Sequence, residues 1–138
     1  MAPSPRAFRF DASAGAALRV LIVDDQPVFR RAARRLLRTR GYAVVAEADC
    51  AAAALEAVEQ LEPDAILLDI RLGDESGYDV ARAVTRFDPA VAVLLVSVTD
   101  HGDGDEQAQA CGARGFLPKK RLAVTDLERY WPGPRGCG

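Results

Sequence analysis

Apolar residues recur along the chain with two different spacings. Short β-rich apolar runs lie at 18–23, 42–46, 65–68, 91–96 and 114–117, and a segment with helical spacing follows each of them. Continuous apolar runs are typical of strands buried on both faces, and their alternation with helices is typical of a parallel sheet. The pattern therefore predicts an α/β domain with one doubly wound, five-stranded parallel sheet and helices on both faces.

Turn and cap residues predict where the helices begin and end. Pro27 lies just inside the first helix, and Gly41 ends it. Asp49 can cap the second helix, which runs to about residue 61. The polar, glycine-rich stretch 99–105 predicts a mobile loop before a short helix. The remaining helices are predicted at 78–87 and 122–130.

The composition fits one globular domain. The 138 residues, 49% hydrophobic and 28% charged, are enough for one core and exclude a disordered or membrane-bound chain. We expect the domain at 18–130, with poorly ordered ends at 1–17 and 131–138. The sequence has neither a signal-peptide core nor a membrane-spanning run, so a cytoplasmic location without membrane contact is expected. The net charge of −2 gives no reason to expect direct DNA binding.

Three carboxylates stand at the ends of two predicted strands. Asp24 and Asp25 close the first apolar run, and Asp69 closes the third. Parallel strands place their carboxyl ends at one edge of the sheet, where open α/β sheets bind ligands. Carboxylates gathered there repel one another unless a cation lies among them, and oxygen ligands without Cys or His favour Mg²⁺. The three cysteines lack the spacing of a zinc site or a disulfide framework and are interpreted as reduced thiols.

Four short motifs, in this order and spacing, resemble the receiver domain of response regulators in two-component signalling. They are VLIVDD at 20–25, LLDIRL at 67–72, LLVS at 94–97 and GFLPK at 115–119. The similarity covers roughly residues 18–130, and the stretch 112–119 is most similar to receivers that often carry a helix-turn-helix output domain. The resemblance implies a flavodoxin-like fold with strand order 2-1-3-4-5.

The resemblance also implies a phosphorylation site. Asp69 would accept a phosphoryl group from the phosphohistidine of a histidine kinase or phosphotransfer protein. Mg²⁺ would be held by Asp24, Asp25, Asp69 and the backbone carbonyl of Arg71, with Asp24 acting directly or through a water. Lys119 would supply the remaining positive charge. The protein would then catalyse its own phosphorylation and dephosphorylation without being a classical enzyme.

Two further residues correspond to the switch of the family. Ser97 would turn its hydroxyl to a phosphoryl oxygen, and Phe116 would fill the vacated space by changing rotamer. Together they would bias the surface formed by the fourth helix, fifth strand and fifth helix. The expected output is a changed affinity for a downstream protein or phosphorylation-dependent formation of a homodimer.

Arginines recur at helical spacing on the first helix and form a basic band. They are Arg30, Arg31, Arg34, Arg35 and Arg38. A solvated face is the simpler explanation. In the receiver family this helix helps to dock the phosphodonor, so the functional interpretation is that Arg30, Arg31 and Arg34 meet an acidic partner surface.

Some positions depart from the usual pattern of the family. Gly73 stands where a proline is often found, and Lys120 likewise follows Lys119 in place of a proline. Val98 is larger than the residue usual after the switch hydroxyl, and Arg71 is long. Because both side chains would hinder water at an aspartyl phosphate, we expect slow autodephosphorylation.

Each candidate residue also has a purely structural explanation. Asp25 could cap the first helix, Asp69 could be an ordinary loop acid, and Phe116 could simply fill the sheet interior. Ser97 on its own would be an ordinary strand-end residue. The Gly-Phe-Leu-Pro sequence that precedes Lys119 favours it over Lys120 as the site lysine.

Alternative functions remain open at this point. A Mg²⁺-dependent phosphohydrolase would usually carry a second Asp two residues after the first, whereas positions 26 and 71 hold Gln and Arg. A degenerate receiver that only binds partners would have lost site residues, and all of the expected groups are present. The residues after Tyr130 are too few for a helix-turn-helix, so we expect a single-domain regulator or a receiver fragment of a longer transcriptional regulator. The ending at 131–138 resembles a natural terminus more than a linker.

Overall fold

The five apolar runs form the strands of one parallel sheet. The computed structural model describes residues 17–99 and 104–131. The sheet strands are β1 (Arg19–Val23), β2 (Ala43–Ala48), β3 (Ala65–Asp69), β6 (Ala92–Ser97) and β7 (Gly115–Pro118). A small antiparallel hairpin after β3 consists of β4 (Arg71–Leu72) and β5 (Glu75–Ser76). The order β2-β1-β3-β6-β7 confirms the predicted strand order 2-1-3-4-5.

Within residues 17–99 and 104–131, four α-helices connect these strands. They are α1 (Pro27–Thr39), α2 (Ala51–Leu61), α3 (Gly77–Phe87) and α4 (Gly104–Ala110). Pro27 lies in the first turn of α1, and Gly41 follows the helix end with a φ of +93°, as the sequence pattern predicted. In the described part of the chain, no helix is both long and apolar enough to cross a membrane.

The sheet separates two hydrophobic clusters because successive strand residues point to opposite faces. One cluster joins alternate residues such as Leu21 and Ile66 to α2, α3 and α4. The other joins Ile22 and Leu67 to α1 and to the C-terminal segment. All five residues of β3 are buried, so the central strand is covered on both faces, as the continuous apolar run predicted.

The prediction that Asp49 caps α2 is wrong. The residue at the N-cap position is Cys50, whose side chain makes no capping hydrogen bond. Instead, the backbone N–H of Ala51 donates to Oε1 of Glu75, on the hairpin, at 2.9 Å. A carboxylate distant in sequence therefore satisfies a free helix N–H group, as a local cap normally would.

The predicted helix at 122–130 is replaced by two 3-10 helices, Lys119–Val124 and Leu127–Arg129. Thr125 between them is extended, and the Asp126 side chain accepts the N–H of Glu128, which starts a new turn rather than continuing the old one. Leu122 and Leu127 both reach the core from these short turns.

Trp131 corrects the predicted boundary of the C-terminal tail. Its side chain is 1% exposed, and its ring meets that of Tyr42 edge-on at 5.4 Å between centroids. A buried aromatic side chain contributes much to a core of this size, so Trp131 belongs to the domain. The rest of the predicted ends, 1–16 and 132–138, and most of the predicted mobile loop, 100–103, lie outside the described residues.

Candidate functional site

The predicted site residues meet at the carboxyl edge of the sheet. Asp24 follows β1 directly, Asp69 ends β3, Ser97 ends β6 and Lys119 follows β7. Parallel pairing aligns these ends, with Asp69 opposite Val96 and Ser97 opposite Pro118. Asp25, Asp69, Ser97 and Lys119 line one open pocket there. The structure therefore brings together residues up to 95 positions apart, counted from Asp24 to Lys119.

The three carboxylates form a compact cluster. Asp24, Asp25 and Asp69 each offer an oxygen, and these oxygens lie within 4.8 Å of one another. Asp24 is 0% exposed and Asp69 is also buried, whereas Asp25 is open to solvent. Buried carboxylates at this spacing are costly without a cation, and a set of oxygen ligands alone suits Mg²⁺. The residues present thus fit the metal that the sequence predicted.

Asp24 is held by the backbone of the first loop and by Lys119. Its Oδ1 accepts the N–H of Gln26 at 2.8 Å. Its Oδ2 lies 2.7 Å from the ammonium nitrogen of Lys119, in an ion pair whose geometry is not that of a hydrogen bond. The guanidinium of Arg30 donates to its backbone carbonyl at 2.7 Å. These contacts fix the innermost carboxylate of the cluster.

Lys119 lies between two of the acids. Its ammonium donates to Oδ2 of Asp69 at 3.2 Å while it pairs with Asp24, and its side chain is 11% exposed. The face of the Phe29 ring lies 4.3 Å from the same nitrogen, measured to the ring centroid. Neighbouring Lys120 is exposed. Of the two lysines, Lys119 is the one placed in the acid cluster.

The electrostatic environment of Asp69 is unfavourable to its charge. Burial raises the pKa of this carboxyl above its ordinary range, and the nearby Asp24 charge acts in the same direction. The backbone N–H of Arg71, which donates to Oδ1 at 3.1 Å, and the Lys119 ammonium lower the pKa in part. A cation bound in the cluster would favour the charged form that a nucleophile requires.

Asp25 anchors the hairpin rather than a helix. Its Oδ2 accepts the N–H of Gly73 at 3.0 Å, and Gly73 has a φ of +60°. The N-cap position of α1 is occupied by Gln26, which makes no side-chain capping bond. The alternative in which Asp25 caps α1 is therefore wrong, and the residue joins the first loop to the hairpin instead.

The two switch candidates occupy defined positions. The Ser97 hydroxyl accepts the N–H of Thr99 at 3.2 Å and lies 3.3 Å from the Thr99 hydroxyl. Phe116 is 7% exposed and belongs to the cluster that contains α3 and α4. The Ser97 hydroxyl is thus bonded within the loop after β6, whereas the Phe116 ring lies in the core beside Gly104 at the start of α4.

The arginines of α1 divide into two groups. Glu47, on the edge strand β2, pairs with Arg30 at 3.1 Å and with Arg34 at 2.8 Å. Arg31 lies on the exposed face of the helix. Two of the three arginines predicted to dock a partner therefore also tie α1 to β2.

Several residues at the site escaped the sequence analysis. Phe29 was not among the predicted site residues, because its contact with the Lys119 ammonium has no local signal in the sequence. Glu75 reaches α2 across 24 positions. Gly77 begins α3 where a Cβ would lie 2.1 Å from the carbonyl oxygen of Asp69. That close approach requires glycine at position 77. The glycine itself was therefore the signal in the sequence that could have indicated the contact.

Comparison with known proteins identifies a family for this arrangement. The family described as the response regulator receiver domain matches residues 20–128. Over 103 residues the chain is 43% identical to the transcriptional regulatory protein NarL of Mycobacterium tuberculosis, and this match covers 74% of the chain and 48% of NarL. The chain spans about half the length of the curated relatives it matches.

Solved structures with the same fold include receiver domains. The signal receiver domain of the NarL response regulator of Mycobacterium tuberculosis is 39% identical, with a TM-score of 0.72 over 78% of this chain and 88% of that one. A response regulator protein of Burkholderia pseudomallei, solved with a phosphorylated aspartic acid, a calcium ion and citrate, is 26% identical. Its TM-score is 0.75, and the match covers 83% of this chain and 67% of that one.

Proposed function

Because the chain belongs to the response regulator receiver domain family, we propose that it is a phosphoacceptor switch in which Asp69 takes a phosphoryl group from a histidine kinase or phosphotransfer protein. The observation that carries the proposal is the pairing of one ammonium, that of Lys119, with Asp24 and Asp69 beside the exposed Asp25. We place the protein in the cytoplasm with its phosphodonor.

The proposed reaction is a single phosphoryl transfer. An oxygen of Asp69 attacks phosphorus, an O–P bond forms, and the N–P bond of the phosphohistidine breaks. The histidine nitrogen leaves with the electron pair and takes a proton from solvent. Asp24, Asp25, Asp69 and the backbone carbonyl of Arg71 would hold Mg²⁺, which supplies charge neutralisation at the phosphoryl oxygens.

Lys119 has the second positive charge at the site. Its 11% exposed side chain keeps the ammonium largely out of water, where its attraction for phosphoryl oxygens is stronger than at a surface. In the unphosphorylated protein this single charge offsets part of the negative charge of Asp24 and Asp69. After transfer, it would contact the new phosphoryl group from the side of β7.

Ser97 and Phe116 would convert the new charge into a change of surface. The Ser97 hydroxyl would leave Thr99 and donate to a phosphoryl oxygen, which draws the loop after β6 inward. The Phe116 ring, packed beside α4, would adjust to that movement. The surface of α4, β7 and the first 3-10 helix would then bind a downstream protein, or a second copy of the chain, with altered affinity.

The basic face of α1 is the proposed docking site for the phosphodonor. Arg31 is exposed there, and Arg30 and Arg34 add positive charge close to Glu47. Since Arg30 also donates to the carbonyl of Asp24, this helix joins the docking surface to the site. An acidic partner surface would be attracted and oriented by these charges.

Two observations favour this function over a phosphohydrolase. Position 71 holds an exposed arginine and position 26 a glutamine, so neither provides the second acid expected of such enzymes. The Arg71 backbone N–H is used to hold Asp69. We therefore expect a stored aspartyl phosphate rather than continuous hydrolysis.

Intact-mass measurement after incubation with Mg²⁺ and acetyl phosphate tests the proposal. The wild type should gain one alkali-labile phosphoryl group, and Asp69→Asn should gain none. Asp74→Asn, on the adjacent hairpin, is the matched control and should be labelled like the wild type. A wild type without an adduct would indicate a binding module, and steady phosphate release from simple phosphomonoesters would indicate a phosphohydrolase.

A further inference from the structure

Helix α1 reaches the proposed site lysine through an aromatic ring. Phe29, in the first turn of α1, places its ring face 4.3 Å from the Lys119 ammonium. The same ammonium also pairs with the carboxylates of Asp24 and Asp69. Acidic groups thus contact one part of the ammonium, and the π-electrons of Phe29 contact another.

The ring and the ammonium attract each other for an electrostatic reason. The face of an aromatic ring has a negative potential, and a cation within about 6 Å of its centroid is stabilised by it. The attraction is stronger where water is excluded, and the Lys119 side chain is only 11% exposed. The contact therefore lies where such an interaction has most effect.

A flexible side chain at this position needs more than charge to be held in place. Lysine has a four-carbon stem with freely rotating bonds, and Asp24 and Asp69 attract its ammonium in different directions. Phe29 is itself held, because α1 packs its ring against the cluster that contains Ala33 and Leu37. The ring thus gives the ammonium a third contact, which can restrain its position.

We propose that Phe29 is a positioning residue that holds the Lys119 ammonium in place for phosphoryl transfer through a cation–π contact. The proposal rests on the proposed function, in which Lys119 meets the phosphoryl group. It also gives α1 a second connection to the site, alongside the bond from Arg30 to the carbonyl of Asp24.

The competing explanation is that Phe29 only fills space in the core. The two explanations differ in what they require of the ring. A space-filling role depends on volume and apolar surface, whereas positioning by a cation–π contact depends on the electron density of the ring face. Fluorination lowers that density with little change in volume, so it separates the two.

The experiment replaces Phe29 with mono-, di- and trifluorophenylalanine by site-specific incorporation. Unfolding free energy is measured in the metal-free protein, and the rate of adduct formation is measured with Mg²⁺ and acetyl phosphate. The matched control is the same series at Phe87, which is 58% exposed at the end of α3. A second control repeats the Phe29 series in Lys119→Met, where no cation faces the ring.

The proposal predicts a stepwise fall in both stability and rate along the Phe29 series, with the trifluoro variant labelled about threefold to tenfold more slowly. In the Phe87 series neither the unfolding free energy nor the rate should change. In the Phe29 series made in Lys119→Met, the unfolding free energy should not change. Phe29→Tyr should keep the wild-type rate, and Phe29→Leu should lose rate to at least the same extent as the trifluoro variant. The upfield ring-current shift of the Lys119 ε-methylene protons should persist in Phe29→Tyr and vanish in Phe29→Leu.

Three outcomes would overturn the proposal. A flat Phe29 series in stability and rate would leave Phe29 as a space-filling residue. A fall in stability with an unchanged rate would mean that the contact exists but does not position Lys119 for transfer. A wild type that takes no adduct would remove the proposed function and this role with it, while the metal-free stability series would still show whether the contact exists.

Discussion

Phe116 packs its ring against Gly104, the first residue of α4, so closely that a Cβ on Gly104 would lie 2.5 Å from Cδ1 of the ring. Gly104 is itself buried. The absence of a side chain at this position allows the ring to lie inside the molecule, 7% exposed. The inward position of the proposed switch residue thus depends on a glycine in a neighbouring element.

Gly104→Ala should destabilise the protein because the ring or α4 must move to make room. Overpacking of this kind costs about 1–3 kcal/mol of unfolding free energy, measured by urea denaturation. Phe116→Leu in the same background should recover part of the loss, since the smaller side chain leaves space for the new methyl group. If Gly104→Ala costs as much unfolding free energy in the Phe116→Leu background as in the wild type, the proposed clash is contradicted.

Asp69→Asn should stabilise the metal-free protein at neutral pH. Burial raises the pKa of Asp69 in the native state, so the native protein binds a proton more readily than the unfolded chain does. Stability due to this group therefore falls as pH rises through the raised pKa and is regained as pH falls below it. The difference between Asp69→Asn and wild type, followed by urea denaturation, should be largest near pH 7 and should shrink as the solution is acidified.

The matched control for that comparison is Glu59→Gln, which removes an exposed carboxylate on α2. It should not reproduce the gain at neutral pH. If Asp69→Asn is less stable than wild type at pH 7 without metal, then the ion pair with Lys119 outweighs burial and our account of the site electrostatics is wrong.

Mg²⁺ should raise the thermal stability of the wild type because a ligand that binds only the native state stabilises it. At a concentration tenfold above the dissociation constant the gain is about 1.4 kcal/mol. Asp25→Asn should reduce this gain strongly while leaving the metal-free midpoint nearly unchanged, since Asp25 is exposed and an amide oxygen can still accept the N–H of Gly73. Asp74→Asn should keep the full Mg²⁺ effect, and its loss there would point to general screening of acidic charge.

The aspartyl phosphate should be long-lived, with a lifetime well beyond seconds in Mg²⁺. Val98 and Arg71 both line the pocket and are exposed there, where they can obstruct an attacking water. Val98→Ala should shorten the lifetime, as followed by intact mass after removal of the phosphodonor. The matched control is Val124, which is also exposed but lies on the first 3-10 helix and does not line the pocket. Val124→Ala should leave the lifetime unchanged. Loss of the phosphoryl group from the wild type within seconds would contradict this prediction.

The features that could be predicted from the sequence are those that depend on residues close together in the chain. The apolar run before Asp24 and the one that ends at Asp69 define buried parallel strands, and the geometry of such sheets then brings the acids together. Pro27 and Gly41 mark the ends of α1 through their own backbone preferences. Short-range physics was sufficient for these elements.

The features that escaped prediction depend on partners distant in sequence. Glu75 rather than Asp49 caps α2, because the hairpin returns to the start of that helix. Glu47 forms ion pairs with Arg30 and Arg34. The basic band of α1, for which a solvated face was the simpler explanation, is therefore partly paired with the edge strand β2. These pairings arise from the tertiary arrangement and have no local signal.

Trp131 shows the same limit of local patterns at the C-terminal end. It is followed by Pro-Gly-Pro, a composition typical of an unstructured tail. Its burial against Tyr42 depends on where the 3-10 helices lead the chain. An apolar residue next to turn residues can thus belong to the core.

The most direct test of the central claim is to locate the phosphoryl group chemically. Borohydride reduces an aspartyl phosphate to homoserine, so peptide mass spectrometry of the labelled and reduced protein identifies the acceptor. Homoserine is expected at position 69 in protein treated with Mg²⁺ and acetyl phosphate, and at no position when Mg²⁺ is withheld. Homoserine at position 24 or 25, or no homoserine in a labelled protein, would contradict the central claim.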